Sequence, residues 1–393
     1  MYCTPSLFIV LFLLFKSLLA SANNEFNTES GNYFNLSLNT QIGNVDNFLF
    51  ATEGEQRTSF LDISPTLKLQ TQFHRQLFNL DFESHHRKFE NFSKDDFTNY
   101  TLSPRYQYKL SENKALFINT SLSNTYEMRG TGLTLGNGAA LNKGDELERS
   151  TISGGYLFGS KESVAKFKAN FGYYNSQYKT RRDSTYLLDQ QTSFVDLSFD
   201  YLLSGQTYLA TNIGVDKIKF KYKPLLDKEK HIALVGMKWQ TTEISQIALL
   251  LGYQQIKFSD STFANDDGFK WRFDFNWHPI HSTRVALKTE RDFEEANRFS
   301  DSYRVVDNYN IKITSDLTEF FEATAVIGSK REKIIYQESI ETENYLFSNF
   351  QLNYQRNEWL SFYIKYDFND LDSSDVELNY QRNSISLGFN VNI

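Results

Sequence analysis

The chain has 393 residues and a net charge of −7, and 16% of its side chains are Phe, Tyr or Trp. With 5 Pro and 3 Met, the composition excludes a proline-rich disordered chain and disfavours a helical bundle built from Leu, Ala and Glu. The acidic balance argues against nucleic-acid binding as the main role, since such surfaces are basic. Strands are the natural host for this many rings, because aromatic side chains fit a pleated, half-buried surface.

The N-terminus predicts a cleaved signal peptide over residues 1–22, which leaves 23–393 as the mature chain. Residues 7–15 are all apolar, and small residues follow at Ala20 and Ala22, the pattern of a cleavage site. Lys16 ends the apolar run well short of a membrane-spanning helix. The single cysteine, Cys3, lies in the segment to be removed, so we expect no disulfide, no thiolate nucleophile and no cysteine-based metal site in the mature chain.

Beyond the signal peptide, apolar and polar residues alternate with a period of two, which is typical of strands with two different faces. The pattern begins at Phe34 and recurs along the chain. Its clearest case is one face of a strand made of five aromatic residues, Phe269, Trp271, Phe273, Phe275 and Trp277. Such a face suits either the core of a soluble sandwich or the lipid side of a membrane barrel.

The connections between strands distinguish these two folds. Short connections such as 74–75, 159–161 and 315–317 alternate with longer polar stretches. Those longer stretches are 44–56, 129–146, 180–190, 260–267, 292–302, 330–341 and 369–377. This alternation is typical of a bacterial outer-membrane barrel, with tight periplasmic turns and longer external loops. We therefore predict an all-β, antiparallel up-and-down barrel of about eighteen strands, with sixteen as the alternative and both termini at the short-turn end.

The weakest strand assignment is 244–256, where Ile247, Leu249 and Leu251 alternate with Ala248 and Leu250, so that the two faces are not distinguished.

Three of the four tryptophans, Trp239, Trp277 and Trp359, fall beside short turns on the apolar face. Trp and Tyr form girdles at membrane interfaces, so we predict that these three lie at the bilayer boundary. The last strand ends at Ile393, where outer-membrane barrels usually have Phe, and it suits pairing with the first strand. The expected partners are outer-membrane lipid and the barrel-assembly machinery.

The predicted inner face carries twelve basic residues against nine acidic ones. The basic residues are Lys68, Arg105, Arg149, Lys166, Lys168, Lys238, Lys270, Arg272, Arg284, Lys288, Lys312 and Lys365, and the acidic ones are Asp62, Asp81, Glu83, Asp196, Asp200, Asp216, Asp274, Glu290 and Glu322. We predict that the lumen is lined by six cations in particular: Lys166, Lys168, Lys270, Arg272, Arg284 and Lys288. Rings of Lys and Arg favour anionic solutes. The alternative is that these residues only pair with carboxylates on neighbouring strands, which is common in sheets.

Several stretches resemble a family of outer-membrane β-barrel porins found beside bacterial exopolysaccharide and capsule gene clusters. The resemblance rests on Ser64-Pro65, on the stretch Leu102-Ser103-Pro104-Arg105-Tyr106, and on the closing segment 380–393. It spans nearly the whole mature chain in pattern, although the motifs are short. It implies an outer-membrane channel that serves polysaccharide export or surface polysaccharide assembly, and it supplies no catalytic residues.

No arrangement in the sequence indicates catalysis, a metal or a cofactor. His278 and His281 flank a short turn without a carboxylate or cysteine at ligand spacing. No Ser/His or Asp/His constellation marks the outer ends of strands. The leading hypothesis is therefore a porin-like channel in the outer membrane. A closed structural or adhesive barrel is the alternative, and a barrel enzyme is a more remote one.

Overall fold

The computed structural model describes residues 31–160, 162–240, 244–299, 301–336 and 339–393, and the predicted signal peptide lies outside this part. Eighteen antiparallel strands account for most of it. Their bounds are β1 Asn32–Val45, β2 Thr58–Phe73, β3 Gln76–Phe89, β4 Phe97–Ser111, β5 Lys114–Glu127, β6 Asp145–Phe158, β7 Ala165–Tyr178, β8 Gln190–Ser204, β9 Thr207–Phe220, β10 Lys228–Gln240, β11 Ser245–Phe258, β12 Asp266–Ile280, β13 Thr283–Glu295, β14 Tyr303–Asp316, β15 Phe321–Ile335, β16 Ile340–Asn357, β17 Leu360–Ser373 and β18 Tyr380–Asn392.

The sheet closes on itself, because β1 pairs with both β2 and β18. Pairing with β18 runs from Ser37 opposite Asn392 to Val45 opposite Ser384. Each of the strands β2 to β17 pairs with its two neighbours in the chain. The predicted antiparallel barrel of eighteen strands is confirmed, and both described termini lie at the short-turn end, where the amide of Leu36 donates to the carbonyl of Ile393.

The two faces of the wall differ as the alternation predicts. Large apolar side chains on the outer face are exposed, for example Phe171 (59%), Ile213 (56%) and Phe269 (50%). The inner face is mainly polar and charged along most strands. In β11, whose faces the sequence left open, Leu249 and Leu251 are exposed while Leu250 packs inside against Ala210 and Leu234.

Several strands continue further towards the long loops than the sequence predicted. β13, β15 and β17 run to Glu295, Ile335 and Ser373, inside the stretches predicted as loops. The reason is that backbone pairing continues past the end of the apolar band. Beyond it even the outer face carries charge, as at Arg331 and Lys333. Among the described residues, no helix has the length and apolar character needed to cross a membrane.

Glycines on the inner face let aromatic rings lie flat against the wall. A methyl group added to Gly328 would stand 2.1 Å from the ring of Phe347, and one added to Gly388 would stand 2.4 Å from Tyr363. The same relation holds for three further pairs of a glycine and a ring: Gly43 and Phe60, Gly155 and Phe117, and Gly172 and Phe194. The close approach of ring and backbone requires the absence of a side chain at these positions.

Candidate functional site: the barrel interior and its mouth

The interior has two regions that differ in chemistry. Near the middle of β2 to β6 the inner wall is polar, and a cavity of about 600 Å³ there is lined by groups that include Lys68, Glu83, Arg105 and Asn119. Towards the long loops, apolar side chains from the loops pack over the mouth of the barrel. A barrel of 16 to 18 strands is wide enough to hold an aqueous channel, so what the loops do decides whether the channel is open.

Two of the six predicted lining cations lie on β7 and point away from the exposed apolar face. The ammonium of Lys166 lies 4.1 Å from the ring centre of Tyr208, and that of Lys168 lies 5.5 Å from the ring centre of Phe117. Among the described residues, neither has a carboxylate within 4 Å. An ammonium over a ring face is attracted by the ring's quadrupole.

The other four lie on β12 and β13. Lys270 is buried and its ammonium lies 2.6 Å from the carboxylate of Asp292. Arg272 is exposed and lies opposite Glu290 in the sheet. The remaining two reach carboxylates, Arg284 at 2.8 Å from Glu322 and Lys288 at 3.9 Å from Asp274. Their role as the lining of a conducting pore stays a prediction.

On the inner face, more cations than carboxylates remain without an ion-pair partner. Of the twelve cations that the sequence assigns to this face, six have no carboxylate within 4 Å in the described part of the chain. They are Lys68, Arg149, Lys166, Lys168, Arg272 and Lys312. Of nine carboxylates assigned to the same face, three lack such a partner, and these are Glu83, Asp196 and Glu290. Cross-strand pairing therefore accounts for half of the cations and leaves the rest to attract anions from water.

A first apolar cluster joins five loops at the mouth. Its buried members are Leu147, Tyr178, Leu188, Ile218, Phe220 and Leu226. Leu133, Phe263, Ala296 and Phe299 pack against it from three further loops. The loops β5–β6, β7–β8, β9–β10, β11–β12 and β13–β14 thus meet in one place, which requires them to fold over the mouth rather than extend into water.

A second apolar cluster covers the opposite part of the mouth. It contains Val45, Phe48, Leu49, Phe60 and Phe89, with Met128 packed against it. Phe48 stacks on Phe92 with ring centres 4.0 Å apart. Because Met128 and Leu133 belong to the same glycine-rich loop, that loop touches both clusters.

The glycine-rich loop, residues 128–144, is held by a buried ion pair. The Arg129 guanidinium donates to Asp95 in the β3–β4 loop, at 2.6 Å from Nη2 and 3.0 Å from Nε to Oδ2. The hydroxyl of Tyr126 also donates to Asp95, at 2.6 Å, and accepts from the amide of Gly144, at 2.7 Å. Gly130 lies so close to Leu49 that an added methyl would stand 1.9 Å from its carbonyl oxygen. The loop therefore fits one position over the mouth.

Burial shifts the pKa of loop groups at this mouth. Burial raises the pKa of Asp301, although its carboxylate accepts the amides of Asn297 and Arg298 at 3.0 Å each. Burial and a hydrogen bond to Glu341 raise the pKa of Tyr336 to about 12. Asp301 lies in the β13–β14 loop, and the hydroxyl of Tyr336 accepts from Arg298 of that loop at 3.2 Å, so both groups belong to the part of the mouth that this loop covers.

The three tryptophans predicted at the bilayer boundary are exposed on the outer side of the wall next to short turns, at 43% for Trp239, 41% for Trp277 and 54% for Trp359. Their depth in a membrane stays a prediction. The fourth, Trp271, lies nearer the long-loop end of the same outer face as Trp277, and its indole donates to Thr289 at 3.1 Å.

Two features of the interior were not found from the sequence. One is the packing of the loops over the mouth, which depends on contacts between residues far apart in the chain. The other is the inward position of Phe293 at the end of β13, where it is 3% exposed. Its alternation with Asp292 and Glu294 would place it on the outer face. Among the described residues, no group of three His, Cys, Asp or Glu side chains lies close enough to hold a metal ion.

The closed sheet of eighteen antiparallel strands with an apolar outer face and a polar inner face defines an outer-membrane β-barrel of the porin class. The chain belongs to the family described as "Putative beta-barrel porin 2", whose model matches residues 29–393. Its location is the outer membrane. No curated protein sequence matches it.

Solved structures of similar fold include bacterial outer-membrane proteins. OccK2 (OpdF) of Pseudomonas aeruginosa superposes with a TM-score of 0.51 at 10% identity, covering 93% of this chain and 98% of that one. OpdK of the same organism gives 0.48 at 10% identity, over 92% and 99%. The siderophore receptor PirA of P. aeruginosa gives 0.44 at 8% identity, over 93% and 81%. At these identities the likeness concerns the fold alone.

Proposed function

We propose that this porin-like barrel passes anionic solutes and that it serves the export or assembly of a surface polysaccharide. The observation that carries the anion preference is the excess of unpaired cations on the inner face, six against three carboxylates. Fixed charges on the wall of an aqueous pore raise the local concentration of the opposite ion. The link to polysaccharide rests on the resemblance of its strand motifs to porins found beside exopolysaccharide genes, and acidic polysaccharides would suit the same lining.

The test of the anion preference is the reversal potential of single channels in a planar bilayer under a salt gradient. The intact protein is expected to favour anions. The double variant Lys166→Glu/Lys168→Glu reverses two unpaired charges of the lining and is expected to shift the reversal potential towards cation selectivity. The matched control is Arg331→Glu/Lys333→Glu, which reverses two cations of the same spacing on the outer face and should leave selectivity unchanged. Cation selectivity of the intact channel would refute the proposal.

The polysaccharide link has a separate test in cells. Deletion of the gene is expected to lower the amount of surface polysaccharide recovered from intact cells and to raise the amount retained in the periplasm. Restoring the intact chain should reverse both changes, whereas restoring the Lys166→Glu/Lys168→Glu variant should do so poorly for an acidic polysaccharide. Unchanged surface polysaccharide in the deletion strain would contradict the link.

A closed barrel with a structural role is the second candidate, and the packing of the loops over the mouth favours it. Five loops share one apolar cluster, and the glycine-rich loop touches both clusters. A folded, inserted protein that carries no current would support this candidate. Conductance that rises when residues 130–142 of the glycine-rich loop are removed would show instead that the loops cover a channel.

A further inference from the structure

The wall of the barrel is incomplete between β12 and β13 at the long-loop end. Backbone pairing between these strands runs up to Arg272 opposite Glu290, and no pair is recorded beyond it between described residues. Both strands nevertheless continue, β12 back to Asp266 and β13 on to Glu295. Along this stretch β12 is paired only with β11, so its other edge is free.

The end of β13 stays paired with β14, up to Glu295 opposite Tyr303, but it separates from β12 and bends towards the interior of the barrel. The amide of Phe293 donates to Gln254 on β11 at 3.2 Å, and its carbonyl accepts from Lys230 on β10 at 3.3 Å. Gln254 and Lys230 are both on the inner face. β11 and β12 lie between β10 and β13 in the sheet. The side chain of Lys230 can therefore reach Phe293 only if the end of β13 lies over the inner face.

Further contacts hold the neighbouring part of the β13–β14 loop in the same inward place. The buried ammonium of Lys228 on β10 lies 2.8 Å from Glu295 and donates to the carbonyl of Ser302 at 2.8 Å. The hydroxyl of Tyr303 donates to Asp266. Phe293 packs with Ile256 of β11 and with Tyr303. The described residues of this stretch, 291–299 and 301–303, which we call the inner hairpin, therefore occupy space that would otherwise belong to the lumen.

The inward position leaves polar groups without partners. Among the described residues, the Nε2 of Gln254, a fully buried residue, has no hydrogen-bond partner. The same holds for the hydroxyl of Ser302, which is 2% exposed. Buried groups of this kind cost free energy, as does a free strand edge beside lipid. Pairing of β13 with β12 in the wall would remove the part of this cost that comes from the free edge of β12.

The sequence of β13 fits the free edge of β12 if the register simply continues. Phe293 would stand opposite Phe269, whose side chain is on the lipid face. Asp292 would stand opposite Lys270, and these two already form an ion pair of 2.6 Å across the gap. Arg291 would stand opposite Trp271, and its guanidinium already lies 4.4 Å from that ring. Each face would then carry matching chemistry, apolar outside and charged inside.

We infer that the free edge of β12, residues 266–271, is a docking site for residues 291–295 of the same chain. The inner hairpin then has two positions, one inside the barrel as in this structure and one that completes the wall. The move withdraws Phe293 and the hairpin from the lumen, so the second position is the more open state of the pore. This consequence rests on the proposed channel function, whereas the docking itself does not.

The experiment uses pairs of cysteines in the full chain carrying Cys3→Ser, which has no other cysteine. In the continued register, Phe269 and Phe293 are directly opposite, within disulfide distance. The variant Phe269→Cys/Phe293→Cys is therefore expected to cross-link in outer membranes under a mild oxidant and to raise single-channel conductance at least twofold. A second pair, Asp267→Cys/Glu295→Cys, tests the same register without the loss of a core ring; Asp267 is exposed and the Glu295 side chain is 22% exposed.

The matched control is Ile256→Cys/Phe293→Cys, which joins side chains that pack together in the inward state. It should cross-link as well and hold conductance at or below the level before oxidation. Linked peptides are identified by mass spectrometry, and mobility on unheated gels shows that the barrel is folded. Cross-linking of the Ile256 pair alone, with both wall pairs unlinked, would overturn the docking inference. If the wall pairs link but no variant conducts, the docking site stands and the channel function fails.

Discussion

Removing the guanidinium of Arg129 should release the glycine-rich loop while leaving the barrel folded. Asp95 is 1% exposed and the Arg129 side chain is 9% exposed, and they share three hydrogen bonds from two nitrogens. Arg129→Ala leaves the buried carboxylate of Asp95 without its cation, and breaking a buried pair in this way costs about 3–5 kcal/mol. The barrel strands keep their pairing, so the cost falls on the closed position of the loop.

A cost of that size raises the open fraction of the loop by roughly a hundred-fold to a few thousand-fold, at about 1.4 kcal/mol for each factor of ten. The assay is limited proteolysis of the folded protein in detergent with subtilisin, scoring the first cut within residues 128–144. Where opening and closing are fast compared with cleavage, the cutting rate follows the open population.

The matched control is Lys143→Ala in the same loop. Its ammonium pairs with Glu146 at 2.6 Å, but both side chains are exposed, so the expected effect on cutting is within about twofold, as for other exposed pairs. Mobility on unheated gels checks that both variants keep the barrel. Equal cutting rates for Arg129→Ala and the unchanged chain would refute the view that the buried pair holds the loop over the mouth.

Three further predictions concern the wall, the mouth and the bilayer boundary. Gly328→Ala places a methyl 2.1 Å from Phe347 and should lower the free energy of unfolding in urea by about 1–3 kcal/mol, whereas Gly214→Ala, whose nearest neighbour is at 3.7 Å, should change it little. Because the pKa of Asp301 is raised in the folded loop, its stabilising contribution is complete below the ordinary aspartate pKa and is lost as pH rises through the raised value. Amide exchange of 297–298, corrected for intrinsic rates, should therefore speed up with pH and become flat in Asp301→Asn; exchange that slows with pH would contradict this. In a variant that keeps only Trp277 of the four tryptophans, fluorescence should be quenched more by lipids brominated near the headgroup than by lipids brominated at the end of the acyl chain. The opposite order would contradict the position of Trp277 at the interface.

The strand number and the two faces of the wall could be predicted because each strand carries its own signal. A period of two is a local property, and the five aromatics from Phe269 to Trp277 show it without any knowledge of neighbours. The parity of the connections is also visible along the chain. Strand ends were predicted less well, since β15 and β17 continue where outer-face residues have become polar, and pairing of the backbone does not need an apolar side chain.

The strand β11 was predicted, but its two faces were left open for a different reason. Leu249, Leu250 and Leu251 are equally apolar, so alternation alone does not separate the faces. In the structure Leu250 is inside because it packs with Ala210 of β9 and Leu234 of β10. Those partners lie tens of residues away, and only the register of the sheet brings them together.

The inner hairpin shows why the mouth could not be predicted at all. Locally, Phe293 continues the alternation of β13 and should face lipid, and the register that ends at Arg272 opposite Glu290 would carry it there. What draws it inside is a set of distant groups, with Gln254 and Lys230 binding its backbone and Ile256 packing against its ring. The local pattern and the tertiary contacts favour different positions for the same residues. This difference indicates a segment with two positions. In the middle of β12 the local pattern and the tertiary contacts agree. We therefore expect that segment to keep a single position in the wall.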